Sequence, residues 1–131
     1  MRNSSNTIID FYEGAYGSTV RIDIQTVKWL GLFLDSILLL KNGFIHELDL
    51  LSLSDTEKDE IGGLKLILGT QTKMSRISSN QLEFNSFIWI VDTETIERII
   101  DATNNFIVRG ESGHYYLYED NGIILEFAYK E

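Results

Sequence analysis

Residues Gln25 to Lys41, with the sequence QTVKWLGLFLDSILLLK, are the most apolar stretch of the chain, and the predicted fold is arranged around them. Their apolar residues at helical spacing, which define a predicted buried face, are Leu30, Phe33, Leu34, Ile37 and Leu38. A second apolar row lies beside that face and consists of Trp29, Leu32, Leu39 and Leu40. Asp35 interrupts the run well before the roughly 18 apolar residues that a membrane-spanning helix requires. The stretch therefore predicts a core helix whose second row is covered by the rest of the chain or by another chain.

The composition of the 131-residue chain limits the classes of protein to consider. Its length suits a single domain, residues 1–131, that can bury a substantial core. The absence of cysteine excludes disulfides, thiolate metal ligands and thiol nucleophiles. The opening sequence MRNSSNTIIDF lacks a basic and then apolar signal segment, which predicts a cytoplasmic protein with no membrane partner.

The charge of the chain is strongly acidic and unevenly distributed. Twenty acidic residues against 11 basic ones give a net charge of −9, so we expect no nucleic-acid partner, which would require a basic surface. Residues 47–60 contain six acidic residues and one lysine, and residues 111–131 contain five acidic residues and one lysine. An acidic surface of this kind attracts basic proteins, although it is also common in ordinary soluble proteins.

The order of the predicted elements indicates an α+β fold. The predicted strands are residues 7–13, 19–24, 44–53, 64–68, 73–77, 81–84, 87–91, 115–118 and 123–129, and for 44–53 a helix is an open alternative. The predicted helices are residues 25–41 and 93–108, with an acidic loop at 54–60 and a turn at 78–80. Asn121-Gly122, between two strand-like runs, is a strong hairpin signal. Because helices and strands do not alternate regularly, we expect antiparallel sheets, formed by the two terminal hairpins and the middle strands, packed on the two helices.

The residues that could support catalysis or metal binding are few. His46, Glu47 and Asp49 are close in sequence, but neighbouring strand residues point to opposite sides, so no metal site is predicted there. His114 follows a Gly-x-x-Gly turn and could act as a general base. The interpretation that we favour is a turn histidine whose ring bonds a backbone carbonyl. No phosphate-binding loop or nucleophile elbow is present, so we predict neither an enzyme nor a cofactor.

The tyrosines of the last hairpin are the better functional clue. Strand alternation predicts that Tyr116 and Tyr118 share one face while Tyr115 and Leu117 share the other. Exposed tyrosines beside carboxylates are typical of protein-binding surfaces. The same tyrosines fit equally well as residues that cap the core and direct their hydroxyls to water.

Three stretches carry a resemblance to a known class of protein. They are FIHELDLLSL at residues 44–53, FIWIVDTETIERII at 87–100 and GHYYLYEDNGIILEFAYKE at 113–131. With them, the chain resembles the small, acidic, cysteine-free immunity proteins of bacterial contact-dependent growth inhibition and related polymorphic toxin systems. The family's pattern of a Trp-containing strand before a helix, then Gly-His-x-Tyr-Leu, is matched by Trp89, Gly113, His114, Tyr116 and Leu117.

The resemblance implies a non-catalytic inhibitor that binds the C-terminal domain of its cognate toxin, a domain that is often a nuclease with a basic cleft. The predicted partner-binding residues are Glu47, Asp49, Asp55, Glu57, Asp59, Glu60, His114, Tyr116, Tyr118, Glu119 and Asp120. One alternative is a homo-oligomeric structural or binding domain, without a toxin, that forms a homodimer through the helix from Trp29 to Leu40. A further alternative is a small hydrolase-like enzyme that uses His114 and a nearby carboxylate.

Overall fold

The computed structural model describes residues 5–15, 17–77, 86–120 and 122–131, with residues 76 and 77 described by their backbone alone. Within these ranges the helices are α1 (Val27–Lys41) and α2 (Thr93–Arg109), and a short 3₁₀ turn covers Leu50–Ser52. The strands are β1 (Thr7–Gly14), β2 (Gly17–Ile24), β3 (Glu47–Asp49), β4 (Thr56–Asp59), β5 (Gly63–Leu68), β6 (Lys73–Ile77), β7 (Ser86–Val91), β8 (Gly113–Asp120) and β9 (Ile123–Tyr129).

The strands form two sheets, and the prediction of an α+β fold is confirmed. The larger sheet has the strand order β4-β1-β2-β9-β8, and the smaller sheet has the order β3-β5-β7-β6. Both sheets are mixed, because β1 pairs with β4, β2 with β9 and β5 with β7 in parallel. Hairpin signals in the sequence identify only antiparallel neighbours that are close along the chain. Parallel pairs join distant strands, so the expectation of antiparallel sheets was incomplete.

Helix α1 ends at Lys41, as its sequence predicts, and begins at Val27, two residues after the predicted start. The Thr26 side chain accepts a hydrogen bond from the Trp29 backbone N–H at 3.2 Å, which satisfies one of the free donors of the first turn. At the other end Gly43, two residues after the helix, adopts a φ of +80°, a conformation that costs glycine little.

The buried face of α1 is rotated from the predicted one. The buried residues of the helix are Trp29, Leu30, Phe33, Ile37 and Leu40. Leu34 is only partly buried and Leu38 is exposed, so the prediction was wrong for these two positions. The rotation has a visible cause, because the Trp29 indole stacks on Phe33 and its N–H donates to the Thr56 hydroxyl at 2.8 Å. The rest of the chain thus covers part of the second apolar row.

One continuous core joins both helices and both sheets. Phe127 of β9 contacts Phe33 of α1 and Phe106 of α2, with ring centroids 5.5 and 5.6 Å apart. Phe11 of β1 and Phe87 of β7 meet at 5.2 Å and connect the two sheets. Both helices therefore lie on the inner face of the larger sheet, and the opposite face carries both exposed side chains, such as Tyr116, and buried ones, such as Glu126.

Two segments between α1 and β5 differ from their predictions. The acidic loop predicted at 54–60 is wrong, because residues 56–59 form β4, which pairs with β1 at the edge of the larger sheet. An edge strand tolerates charged residues, since one of its sides remains in water. Of the strand predicted at 44–53, only Glu47–Asp49 is paired. The Asp49 carboxylate then accepts the Leu51 N–H at 3.1 Å and starts the 3₁₀ turn instead.

The remaining elements follow the sequence closely. The second helix starts at Thr93, as predicted, where the Asp92 carboxylate accepts the Thr95 N–H at 2.8 Å, and it is followed by Gly110 with a φ of +65°. The strand predicted at 73–77 is confirmed as β6, and the final hairpin is confirmed as β8 and β9. The strand predicted at 81–84 and the turn at 78–80 lie outside the described residues.

A β-bulge in β8 changes the predicted arrangement of the tyrosines. Tyr116 pairs with Glu126 but Tyr118 pairs with Leu125, so one extra residue is inserted between the two tyrosines. They therefore point to opposite faces, and the prediction that they share a face was wrong. Tyr118 is buried in the core, whereas Tyr116 is 47% exposed.

Candidate functional site

The side of the larger sheet opposite the helices carries many charged and aromatic side chains, and we call it the outer face. Its residues alternate with the buried ones, such as Ile9, Val20 and Phe127. One ladder across the five strands consists of Asp59, Asp10, Arg21, Glu126 and Tyr116. The next ladder consists of Glu57, Ile8, Asp23, Ala128 and His114. The acidic stretch and the final hairpin, which are far apart in sequence, thus contribute to a single face.

Five predicted partner-binding residues are brought together on this face. They are Glu57 and Asp59 of β4 and His114, Tyr116 and Glu119 of β8. Asp120 ends β8 beside them and is exposed. The β4 and β8 groups occupy opposite edges of the sheet, with β1, β2 and β9 between them. A partner that contacts both groups must therefore lie across the whole face.

The other predicted residues lie elsewhere. Glu47 and Asp49 belong to the smaller sheet, where Glu47 is 3.7 Å from the Lys65 ammonium group. Asp55 precedes β4 and is 3.5 Å from the Lys28 ammonium group. These carboxylates have local roles in the fold and are not members of the outer-face ladders.

The positions of two more predicted residues, Glu60 and Tyr118, are as follows. Glu60 follows β4 and is exposed, with a φ of +59°. Tyr118 is buried on the inner side of β8, where its ring meets Trp89 edge-on at 6.4 Å. Tyr118 is therefore a core residue and is not available to a partner.

A polar network that sequence reasoning missed occupies the centre of the outer face. Glu126 is only 9% exposed and accepts a hydrogen bond from the Tyr12 hydroxyl at 3.3 Å. The Arg21 guanidinium lies 4.0 Å from the Glu126 carboxylate and 3.9 Å from that of Glu131. Burial, together with the Glu126 charge, raises the pKa of the Tyr12 phenol. The phenol therefore stays protonated at neutral pH and donates to Glu126.

His114 belongs to this network and does not form a turn. It lies within β8, and its Nδ1 is 2.8 Å from the nearer oxygen of the Glu131 carboxylate. The favoured interpretation of a turn histidine bonded to a backbone carbonyl was therefore wrong. In the described part of the chain, His114, Glu126 and Glu131 are the one group of three whose potential metal-ligand atoms lie within 4.8 Å of one another. The nearby Arg21 already supplies these carboxylates with a positive charge.

The outer face is predominantly acidic. Its carboxylates, counting Glu131 at its margin, are Asp10, Asp23, Glu57, Asp59, Glu119, Glu126 and Glu131. Arg21 is the one arginine or lysine in the two ladders, all of whose members are described. Burial raises the pKa of Asp23, whose carboxylate accepts a hydrogen bond from the Gln25 amide at 3.0 Å. The charge pattern favours a positively charged ligand over this face.

Two concave regions adjoin the outer face. One, of about 700 Å³, lies at the hairpin end of the face, and we call it the tyrosine pocket. Its main lining residues are Tyr12, Thr19, Tyr116, Glu119, Ile124 and Glu126. The other, of about 830 Å³, lies beside the edge strand β4 and extends to the smaller sheet. Its lining includes Glu57, Asp59, Lys58, Lys65, Phe87 and Ile88. The tyrosine pocket is the more acidic of the two.

Comparison with protein-family models, with curated proteins and with solved structures gave no match. Among the described residues, neither helix has the length and apolar character needed to cross a membrane.

Proposed function

We propose that the chain is a non-catalytic inhibitor that binds a basic protein domain with its outer face, in the manner of an immunity protein that neutralises a bacterial toxin. The observation that carries the proposal is the convergence of the two acidic stretches on one side of one sheet. Glu57 and Asp59 reach this side from β4, and Glu119 and Tyr116 reach it from β8. Residues from distant parts of the sequence thereby form one extended acidic surface.

The charge of the outer face fits a nuclease as the partner. A nuclease cleft is basic because it holds the phosphate backbone of its substrate. An acidic protein surface competes for the same cleft and accelerates association by electrostatic attraction. The net charge of −9 extends this attraction beyond the contact itself. A cytoplasmic inhibitor of a toxin nuclease would work by covering the substrate cleft.

The exposed aromatic residues of the outer face supply the apolar contact area that its charged residues lack. Tyr116 is 47% exposed and Tyr12 is 38% exposed, and both lie among carboxylates. Tyrosine is enriched at the centres of protein interfaces, where a few buried aromatic side chains carry much of the affinity. We therefore assign much of the binding affinity to Tyr12 and Tyr116. The surrounding carboxylates accelerate association and provide specificity for a basic partner.

A second candidate function, self-association through α1, has its own supporting observation. The C-terminal end of the helix leaves Leu38, Leu39 and Phe44 exposed, with Phe44 at 77%. Trp29 and Leu40, which were predicted to join such a contact, are buried in the core and are not available to it. Analytical ultracentrifugation of the wild type and Phe44→Glu separates this candidate from the first. A concentration-dependent mass that the substitution abolishes would establish self-association.

The experiment that tests the proposed function is affinity capture from the organism that encodes the chain. The tagged protein is incubated with lysate and washed at low and then at high salt, and the retained proteins are identified by mass spectrometry. We expect one basic toxin domain to survive the high-salt wash, because packing around the tyrosines persists when surface charges are screened. The captured domain is then expressed alone, and its toxic activity is measured with and without the inhibitor. Activity that the inhibitor leaves unchanged would contradict the proposal.

A further inference from the structure

We infer that the tyrosine pocket binds the guanidinium group of an arginine side chain supplied by the basic partner. The identity of the partner rests on the proposed function, but the preference of the pocket for a guanidinium group does not and can be measured without a partner. The inference rests on the shape of the pocket, on a buried carboxylate in it and on the residues that line it.

Paired backbone segments of the larger sheet set the position of the pocket. Thr19 of β2 and Ile124 of β9 are paired neighbours that form its floor, and Thr19 is only 5% exposed. The β1–β2 turn and the β8–β9 turn are tied together because the Ser18 N–H donates to the Gly122 carbonyl at 3.0 Å. A Cβ added at Gly17 would lie 2.9 Å from that carbonyl oxygen, so the two turns pack closely. The volume of about 700 Å³ is within the range of small-ligand pockets.

Glu126 is the main reason to expect a cation in the pocket. Its side chain is nine-tenths buried, yet a carboxylate has about four acceptor positions. Within the described residues it accepts one hydrogen bond, from Tyr12, and its distance of 4.0 Å from Arg21 Nε is too long for a second. A buried carboxylate with so few donors gains from an additional charged donor.

The other lining residues add to the negative potential. Glu119 and Asp120 line the pocket together with Glu126, whereas its lining contains no lysine or arginine among the described residues. Arg21 lies outside the lining and compensates Glu126 only in part. A cationic side chain in the pocket would therefore lie near the acidic side chains of the lining, and the described lining residues include no lysine or arginine.

A guanidinium group suits this lining better than an ammonium group or a metal ion. Tyr12 and Tyr116 line the pocket, and a planar, weakly hydrated guanidinium packs well against tyrosine rings. The Tyr12 hydroxyl donates to Glu126 and is also hydrogen-bonded with Thr19, so a phenol oxygen lies beside the buried carboxylate. The fork of five N–H donors can reach a carboxylate and a phenol at once, which a compact ammonium group does less well.

The test is a ¹⁵N NMR titration of the full chain with N-acetyl-arginine methylamide as the probe. The matched probe N-acetyl-citrulline methylamide has nearly the same shape without the charge, and N-acetyl-lysine methylamide has the charge without the planar fork. We expect saturable shifts of the Glu119, Gly122 and Ile124 amides with the arginine probe. The lysine probe should bind several-fold more weakly, and the citrulline probe should not saturate. Equal responses to the arginine and citrulline probes would overturn the inference.

Variants show whether the response comes from the pocket. Glu126→Gln should abolish saturation, and Tyr116→Ala should weaken arginine binding by roughly two- to fivefold through loss of the cation–aromatic contact. Glu119→Gln replaces Glu126→Gln if the latter does not fold, and Glu94→Gln on α2 is the control, which should bind like the wild type. Unchanged binding in the folded pocket variants would also overturn the inference. If the arginine probe binds as expected but the captured toxin domain ignores these variants, the pocket assignment stands and the proposed role of the pocket in partner binding fails.

Discussion

The Tyr12 hydroxyl on β1 donates to the carboxylate of Glu126 on β9 at 3.3 Å, across the intervening strand β2. Glu126 is nine-tenths buried although it faces the solvent side of the sheet. The bond fixes both the orientation of the tyrosine ring and the position of a carboxylate at the base of the tyrosine pocket. The same hydrogen bond therefore contributes to the stability of the larger sheet and holds the Glu126 carboxylate in place on its outer face.

This contact makes a direct prediction about stability. Tyr12→Phe keeps the ring but removes the donor to Glu126, so we expect a loss of about 1 kcal/mol in the free energy of unfolding. The matched change Tyr116→Phe removes a hydroxyl for which no hydrogen bond is found in the described residues, and it should cost close to nothing. Urea unfolding followed by tryptophan fluorescence measures both. Equal stabilities for the two variants would show that the Tyr12 bond contributes nothing.

A second prediction concerns the buried indole of Trp29. Its N–H donates to the Thr56 hydroxyl at 2.8 Å and so connects α1 to the edge strand β4. Thr56→Val leaves the indole N–H buried without an acceptor, and we expect a loss of about 1–3 kcal/mol. Thr70→Val, at an exposed position, is the control and should be near neutral. If Thr56→Val unfolds at the same urea concentration as the control, the indole bond does not stabilise this edge.

Two aspartates should contribute to the pH dependence of the free energy of unfolding with opposite signs. Hydrogen bonds from Thr95 lower the pKa of Asp92 below its ordinary 3.8, whereas burial raises the pKa of Asp23 above the same value. A lowered folded-state pKa contributes stability that is present above pH 3.8 and is lost as the pH falls through the folded value. A raised folded-state pKa, as at Asp23, lowers the stability of the fold as the pH rises from 3.8 through the folded-state value. Below pH 3.8 this loss of stability is absent.

Two isosteric substitutions test these signs. Asp92→Asn should be less stable than the wild type at pH 7, and the difference should shrink at acidic pH. Asp23→Asn should gain stability relative to the wild type as the pH is raised from 3 to 7, because the charged and partly buried carboxylate is removed. Thermal unfolding at a series of pH values measures both. Parallel pH profiles for the two variants would contradict the opposite pKa directions.

The sequence predicts the helices well because their signals are local. Thr26 and Asp92 accept backbone N–H groups at the starts of the helices, and Gly43 and Gly110 adopt positive φ at or just beyond the ends. None of these interactions depends on a distant part of the chain. The Asn-Gly hairpin is predictable for the same reason, since its two strands are neighbours in sequence.

The strand β4 and the outer face depend on pairings that the sequence does not encode locally. Residues 56–59 have an acidic, loop-like composition and become a strand only because the distant β1 offers a free edge. Tyr116 and Glu119 could be recognised as surface candidates, but their proximity to Tyr12 and Arg21 requires the parallel pairing of β2 with β9. The bulge after Tyr116 cannot be recognised from the alternation of side chains along the sequence of β8. The prediction that Tyr118 shares a face with Tyr116 was wrong for that reason.

The central claim, that the outer face as a whole binds the basic partner, is tested most directly by the association rate of the captured domain. Glu57→Lys and Glu119→Lys reverse charges at the two opposite edges of the face, and Asp101→Lys makes the same change on the exposed side of α2. Biolayer interferometry at low salt measures the three variants against the wild type. We predict that both outer-face variants slow association several-fold while Asp101→Lys associates like the wild type. Three equal rates, or a reduction only for Asp101→Lys, would contradict the account.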